Sequence, residues 1–140
     1  MSKKRLIVDY SYDFQLLGIC SSLKGYSLAW LINRVLKVKL TKVDDLVIEG
    51  KKGEFYSYQR FEQKAMYNEL TLIKNSSQRT KSQSKKILPE FPHFDFVLMT
   101  KGGENDSGKR ILESLQGITS IELTTLIPLR TLISKDNFIF

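Results

Sequence analysis

The sequence predicts an α+β fold, with two helices on one face of a mostly antiparallel sheet. Two observations lead there. Short apolar or alternating runs outnumber helical ones, and each of the two helically spaced segments is flanked by strand-like runs on both sides. The order that results is β-α-β-β-β-β-α-β, two strand-helix-strand units around a meander, for which a ferredoxin-like or ACT-like topology is expected. The 140 residues suit a single domain, residues 1–140, long enough to bury a core without staples.

Taken in order, Phe14 to Ser21 is apolar on both faces and bounded by polar residues, as a buried strand would be. Tyr26 to Leu36 puts Leu28, Leu31, Ile32, Val35 and Leu36 at helical spacing, with Asn33 and Arg34 on the other side. Lys37 and Lys39 then stand where cations complement the helix dipole, and Gly25 is the expected amino-terminal cap. Val43 to Ile48 forms a second strand with Leu46 and Ile48 on one face, and Lys51-Lys52-Gly53 turns the chain. Glu54 to Arg60, extending toward Gln63, sets Phe55, Tyr56 and Tyr58 among polar residues. Glu69 to Asn75 repeats the pattern with Leu70, Leu72 and Ile73, giving a hairpin.

Ser76 to Lys86 is polar throughout and reads as a mobile basic loop inserted in the domain. Pro89 and Pro92 turn Leu88 and Phe91 away from helix, so an extended approach precedes a strand from Phe94 to Thr100. Lys109 to Leu115 is a short helix, and Ile118 to Thr124 the closing strand.

Composition narrows the chemistry. With one cysteine there is neither an intrachain disulfide nor a thiolate zinc cage, and Cys20, set in an apolar run, reads as a buried structural thiol. The lone histidine, His93, lacks the companions of a transition-metal site, so no cofactor or metal is expected. No run approaches the ~20 apolar residues of a membrane helix, and the basic start is followed by only Leu6-Ile7-Val8 before Asp9, too little for a secretory leader. A cytoplasmic location is the expectation.

The net charge of +7 is uneven: cations exceed acids by nine through Lys86 and fall two short after it. Lys74, Arg79, Lys81, Lys85 and Lys86 form a run without an acid and are the candidate contacts for an anionic partner such as RNA. Their neighbours are Ser, Gln and Thr rather than aromatics, so no base-stacking platform accompanies them, and a solvated loop is the competing reading.

Gly103-Glu104-Asn105-Asp106-Ser107-Gly108-Lys109 nearly spells a phosphate-binding loop between a strand and a helix. Arg110 replaces the hydroxyl residue that would hold magnesium, and Glu104 and Asp106 put negative charge where phosphates would lie. A strand-to-helix turn is the favoured reading. The apolar Phe138-Ile139-Phe140 is expected to tuck into the protein's own core; the other reading is a docking peptide or a dimer contact made by strand addition.

Leu88-Pro89-Glu90, three residues, then Phe94-Asp95-Phe96 resembles the motif of the IPExxxVDY family of uncharacterised bacterial proteins, with Leu for Ile, Phe for Val and Phe for Tyr. Tyr26-Ser27-Leu28-Ala29-Trp30-Leu31-Ile32-Asn33 and the closing Ser134-Lys135-Asp136-Asn137-Phe138-Ile139-Phe140 are also similar to segments of such proteins. The resemblance implies no activity. Genes of such proteins often lie beside those for ribonuclease III and pyruvate kinase, which leans toward RNA metabolism. The motif keeps Pro89, Glu90 and Asp95, a candidate docking surface; the alternative is that each carboxylate accepts hydrogen bonds that fix the start of the strand.

The expected function is therefore a non-enzymatic cytoplasmic binding or adaptor protein whose partner is RNA or another protein. The alternative is an ACT-like small-ligand sensor or dimeric regulatory domain, a homodimer. An enzymatic reading needs a cleft that gathers Glu90, Asp95 and Lys109.

Overall fold

The computed structural model describes residues 13–64, 68–77, 85–102 and 107–140, and within them the elements follow the expected order. They are β1 (Phe14–Cys20), α1 (Gly25–Leu36), β2 (Thr41–Glu49), β3 (Phe55–Lys64), β4 (Asn68–Lys74), β5 (Phe96–Gly102), α2 (Ser107–Leu115) and β6 (Leu123–Ile127). The strands make one six-stranded sheet ordered β2-β3-β4-β5-β1-β6, and every pairing is antiparallel. This is the α+β class expected. In a four-stranded ferredoxin-like sheet the strand after the first helix lies beside the strand before the second. Here β3 and β4 stand between β2 and β5, which widens the sheet.

The period of two along each strand sorts side chains between two cores. Leu17, Ile19, Leu72, Phe96 and Leu98 face the helices, where they meet Leu28, Ala29 and Ile32 of α1 and Leu115 of α2. Leu16, Ile73, Val97 and Met99 take the opposite side. That side is closed by irregular chain: Ile87, Leu88 and Phe94 from residues 87–94, and Leu132 and Phe138 from the C-terminal stretch. Antiparallel sheets commonly leave one face wet; here β1, β4 and β5 are buried on both, and β1 and β5 accordingly read as near-continuous apolar runs. A Cβ at Gly18 would overlap the Phe94 ring, so bare backbone at this point of β1 is what seats that ring.

Several expectations need correction. The closing strand does not begin at Ile118. After α2, Gly117 takes φ 86, Ile118 N–H bonds the Leu115 carbonyl (3.4 Å) and Ile121 N–H bonds that of Ile118 (2.9 Å). The apolar residues of this turn plug the helix-side core through Ile121, and pairing with β1 starts only at Leu123 opposite Cys20. Phe94 lies outside β5, which starts at Phe96, and it packs on the face away from the helices. The cap of α1 is Lys24, and Gly25 is already helical.

Cys20 is half-buried, its thiol 3.5 Å from the His93 carbonyl. Partial burial, then the charges of Asp95 and Glu122, push that thiol up from its ordinary range. In the tail Phe138 is buried, whereas Ile139 and Phe140 are exposed, with the Arg60 guanidinium 5.3 Å over the Phe140 ring.

The expected loop 76–86 is narrower than it reads. Residues 78–84 lie outside the described residues, but at its base Ser77 N–H donates to the Lys85 carbonyl (2.9 Å) and Lys85 N–H to Ser77 Oγ (2.7 Å), beside a bridge between Ser76 and Lys86. Among the described residues no helix is long and apolar enough to cross a membrane.

Candidate functional site

The motif residues join segments that sequence holds far apart. Glu90 Oε2 accepts the N–H groups of Ile133 (2.6 Å) and Ser134 (2.9 Å), and Oε1 accepts the Ser134 hydroxyl (2.6 Å). Its carboxylate thus sits at the start of the 3-10 helix Ser134–Phe138, where free N–H groups favour negative charge. Asn137 Nδ2 adds a bond to the Ile87 carbonyl (3.0 Å). The Leu88-Pro89-Glu90 and Ser134–Phe138 motifs therefore clasp each other over the second core.

Burial by itself would raise the Glu90 pKa, but the hydrogen bonds from Ser134 and Ile133 outweigh it and hold the carboxyl below the ordinary glutamate range. A folded-state pKa that is depressed gives stability present above the ordinary value and lost as pH falls through the lowered one. The difference in unfolding free energy between the protein and Glu90→Gln is therefore expected to be full at neutral pH and to shrink on acidification. Urea denaturation at steps from about pH 7 to about pH 3 measures it; a difference that stays constant across the series would contradict the clasp.

Asp95 acts elsewhere. Its Oδ2 accepts the Ser21 N–H (2.8 Å) and its own N–H donates to the Ile19 carbonyl (2.9 Å), pinning the start of β5 to the end of β1. Both seams depend on a residue that the sequence did not mark, Asn75, which is 0% exposed. Its Nδ2 donates to the carbonyls of Phe94 (2.8 Å) and Phe91 (3.3 Å), and its Oδ1 accepts the Leu88 N–H (2.9 Å). One amide thereby shapes the whole bend from Leu88 to Phe94.

Glu90, Asp95 and Lys109 are not gathered. Glu90 turns to the C-terminal stretch, and Asp95 lies beside Ile19. Lys109 follows Gly108, whose N–H bonds Gln15 Oε1 (2.8 Å), four residues back along β1 or roughly 13 Å. That same bond occupies a donor in the first turn of α2 that a phosphate would need; Gly103 to Asp106 lie outside the described residues. His93 is exposed, its ring 4.3 Å from that of Phe94. Among the described residues no three His, Cys, Asp or Glu side chains are grouped as metal ligands.

Among the described residues, two concave surfaces meet where β1 hands over to α1. A groove of about 600 Å³ runs between the start of α1 and the end of β4, lined by Ser22, Lys24, Gly25, Gln59, Lys74 and Asp95 among others. No side chain caps α1, whose first helical bond is from Leu28 N–H to the Lys24 carbonyl (2.9 Å). The N–H groups of Gly25, Tyr26 and Ser27 precede that bond and give this end of the helix partial positive charge. Neither Lys24 nor Lys74 pairs with a carboxylate among the described residues. The acid in this lining, Asp95, has one oxygen engaged by Ser21.

Beside the groove, Tyr26 and Trp30 stand one helical turn apart, 56% and 59% exposed. With Leu23, Ser27, Leu31 and Ser120 they line an apolar hollow of about 490 Å³. The Arg34 guanidinium lies 4.8 Å over the Trp30 ring. Groove and hollow share Leu23 and Tyr26.

Of the basic run, Lys74 lines the groove, and Lys86 Nζ donates to Ser76 Oγ (2.7 Å) at its margin. Lys85 is turned away, 5.0 Å over the Tyr56 ring, which packs on the second core. Arg79 and Lys81 lie outside the described residues. Pro89 is exposed. A scan against protein-family models finds no match to the chain, and a search of curated proteins finds none.

Proposed function

We propose that this protein is a non-enzymatic, cytoplasmic binding or adaptor protein whose anionic partner is RNA, met at the groove between α1 and β4. The observation that carries this reading is the coincidence of an uncapped helix start with Lys24 and Lys74 in one groove. Backbone N–H groups at a helix start, flanked by ammonium groups, suit phosphate oxygens. The basic balance of the chain through Lys86 adds long-range attraction.

Titration of a labelled single-stranded oligoribonucleotide at about 50 mM salt should show saturable binding that weakens as salt rises. Replacing Lys24 and Lys74 together by alanine should weaken binding and lower the salt slope by roughly one to two units. Binding absent at low salt, or a double variant with an unchanged slope, would remove this reading.

A groove of about 600 Å³ is also the size of a small-ligand pocket, which supports the sensor alternative. A mononucleotide or amino acid that raises the melting temperature, in a protein that ignores the oligonucleotide, would favour that alternative.

A further inference from the structure

Building on the RNA reading, we infer that the partner strand is unpaired, with its bases stacked on Tyr26 and Trp30 while its phosphates follow the groove at Lys24 and Lys74. Three observations converge. The two aromatic rings are spaced four residues apart on one helix and are more than half exposed, although burial against the sheet was available to other apolar residues of α1. Their hollow continues the cationic groove through Leu23 and Tyr26, so a chain leaving the helix start passes Tyr26 before Trp30. No acid lines the hollow, and Arg34 adds a planar cation over one Trp30 face.

Aromatic faces beside a basic track hold bases irrespective of sequence, because every base has a π-face to offer. A base inside a duplex has both faces covered by its neighbours, so this surface discriminates by strandedness. Charge complementarity thus selects a polyanion with open apolar faces over an acidic peptide, whose carboxylates bring no flat apolar partner. Among the described residues Phe55 on β3 is also an exposed aromatic, but it lines neither the groove nor the hollow.

Trp30 is the chain's only tryptophan, so its emission reports on this hollow alone. The full chain is titrated with an unstructured oligoribonucleotide and with a duplex RNA of equal length. The single strand is expected to quench Trp30 saturably, and the duplex to bind on the order of tenfold more weakly. Trp30→Ala, followed through the labelled RNA, is expected to lower single-strand affinity on the order of tenfold and leave the salt slope unchanged. Trp30→Phe should retain most of the affinity.

Equal binding of both RNAs, or a Trp30→Ala variant with unaltered affinity, overturns the stacking inference and leaves the groove reading standing. Binding of neither overturns both. Emission that shifts with protein concentration alone, alongside dimerisation in sedimentation, assigns the hollow to a second copy and also overturns the inference.

Discussion

Replacing Asn75 by alanine is expected to lower the unfolding free energy by about 3 kcal/mol or more, because three backbone groups lose their partner together. Each buried group left without a hydrogen bond costs about 1–3 kcal/mol, since it gave up water on folding. The Leu88 N–H and the Phe94 carbonyl are in buried bonds, and the Phe91 carbonyl in a part-buried one. Asn75→Leu, which restores volume and no polar atom, should rescue little, because the deficit is one of hydrogen bonding and not of space. Urea denaturation read by tryptophan emission makes the comparison. A loss under about 1 kcal/mol in both variants would mean that water replaces the amide, and the bend would then owe its shape to Pro89 and Pro92.

Phe138→Ala is expected to cost about 3–4 kcal/mol, while Phe140→Ala, two residues on, stays within about 1 kcal/mol. Phe138 is 2% exposed and packs with Leu16, Val97 and Leu132 in the second core. Removing its ring strips that face of the sheet of cover and leaves a void that the clasped 3-10 helix cannot fill by sliding, since Glu90 and Asn137 hold it. Phe140 is 49% exposed, with the Arg60 guanidinium over its ring. Similar losses at the two positions in calorimetry or urea melts would refute the division of the tail into a buried anchor and an exposed end.

The element order was legible because periodicity is a local property. Leu16-Leu17 in β1 and Phe96 to Met99 in β5 fill both faces of a strand, and Leu28, Ala29 and Ile32 fill one face of a helix. The position of β6 was not legible, because Ile118, Ile121 and Leu123 imitate a strand. The deciding fact is the positive φ of Gly117 and the turn behind it, which a hydrophobic pattern does not carry.

Asn75 was invisible for a related reason. A single amide at the end of an apolar strand gives no periodic signal, although an asparagine between such a strand and a polar loop is well suited to bond local backbone. Tyr26 and Trp30 could have been marked from the sequence, since both fall off the stripe made by Leu28 and Ile32. Lys24 could not. Its proximity to Lys74 depends on β4 lying two strands away from β1, and that is a matter of topology.

The way the second core is closed has a bearing on biosynthesis. On the ribosome β1 emerges well before both of its sheet neighbours, β5 and β6, and before the residues that roof its Leu16 side. Until they arrive, the nascent polypeptide displays a sticky, unpaired strand, and long-range closure of this kind is slow. Chains stalled or released before β5 and β6 are made should therefore be avid clients of chaperones and proteases.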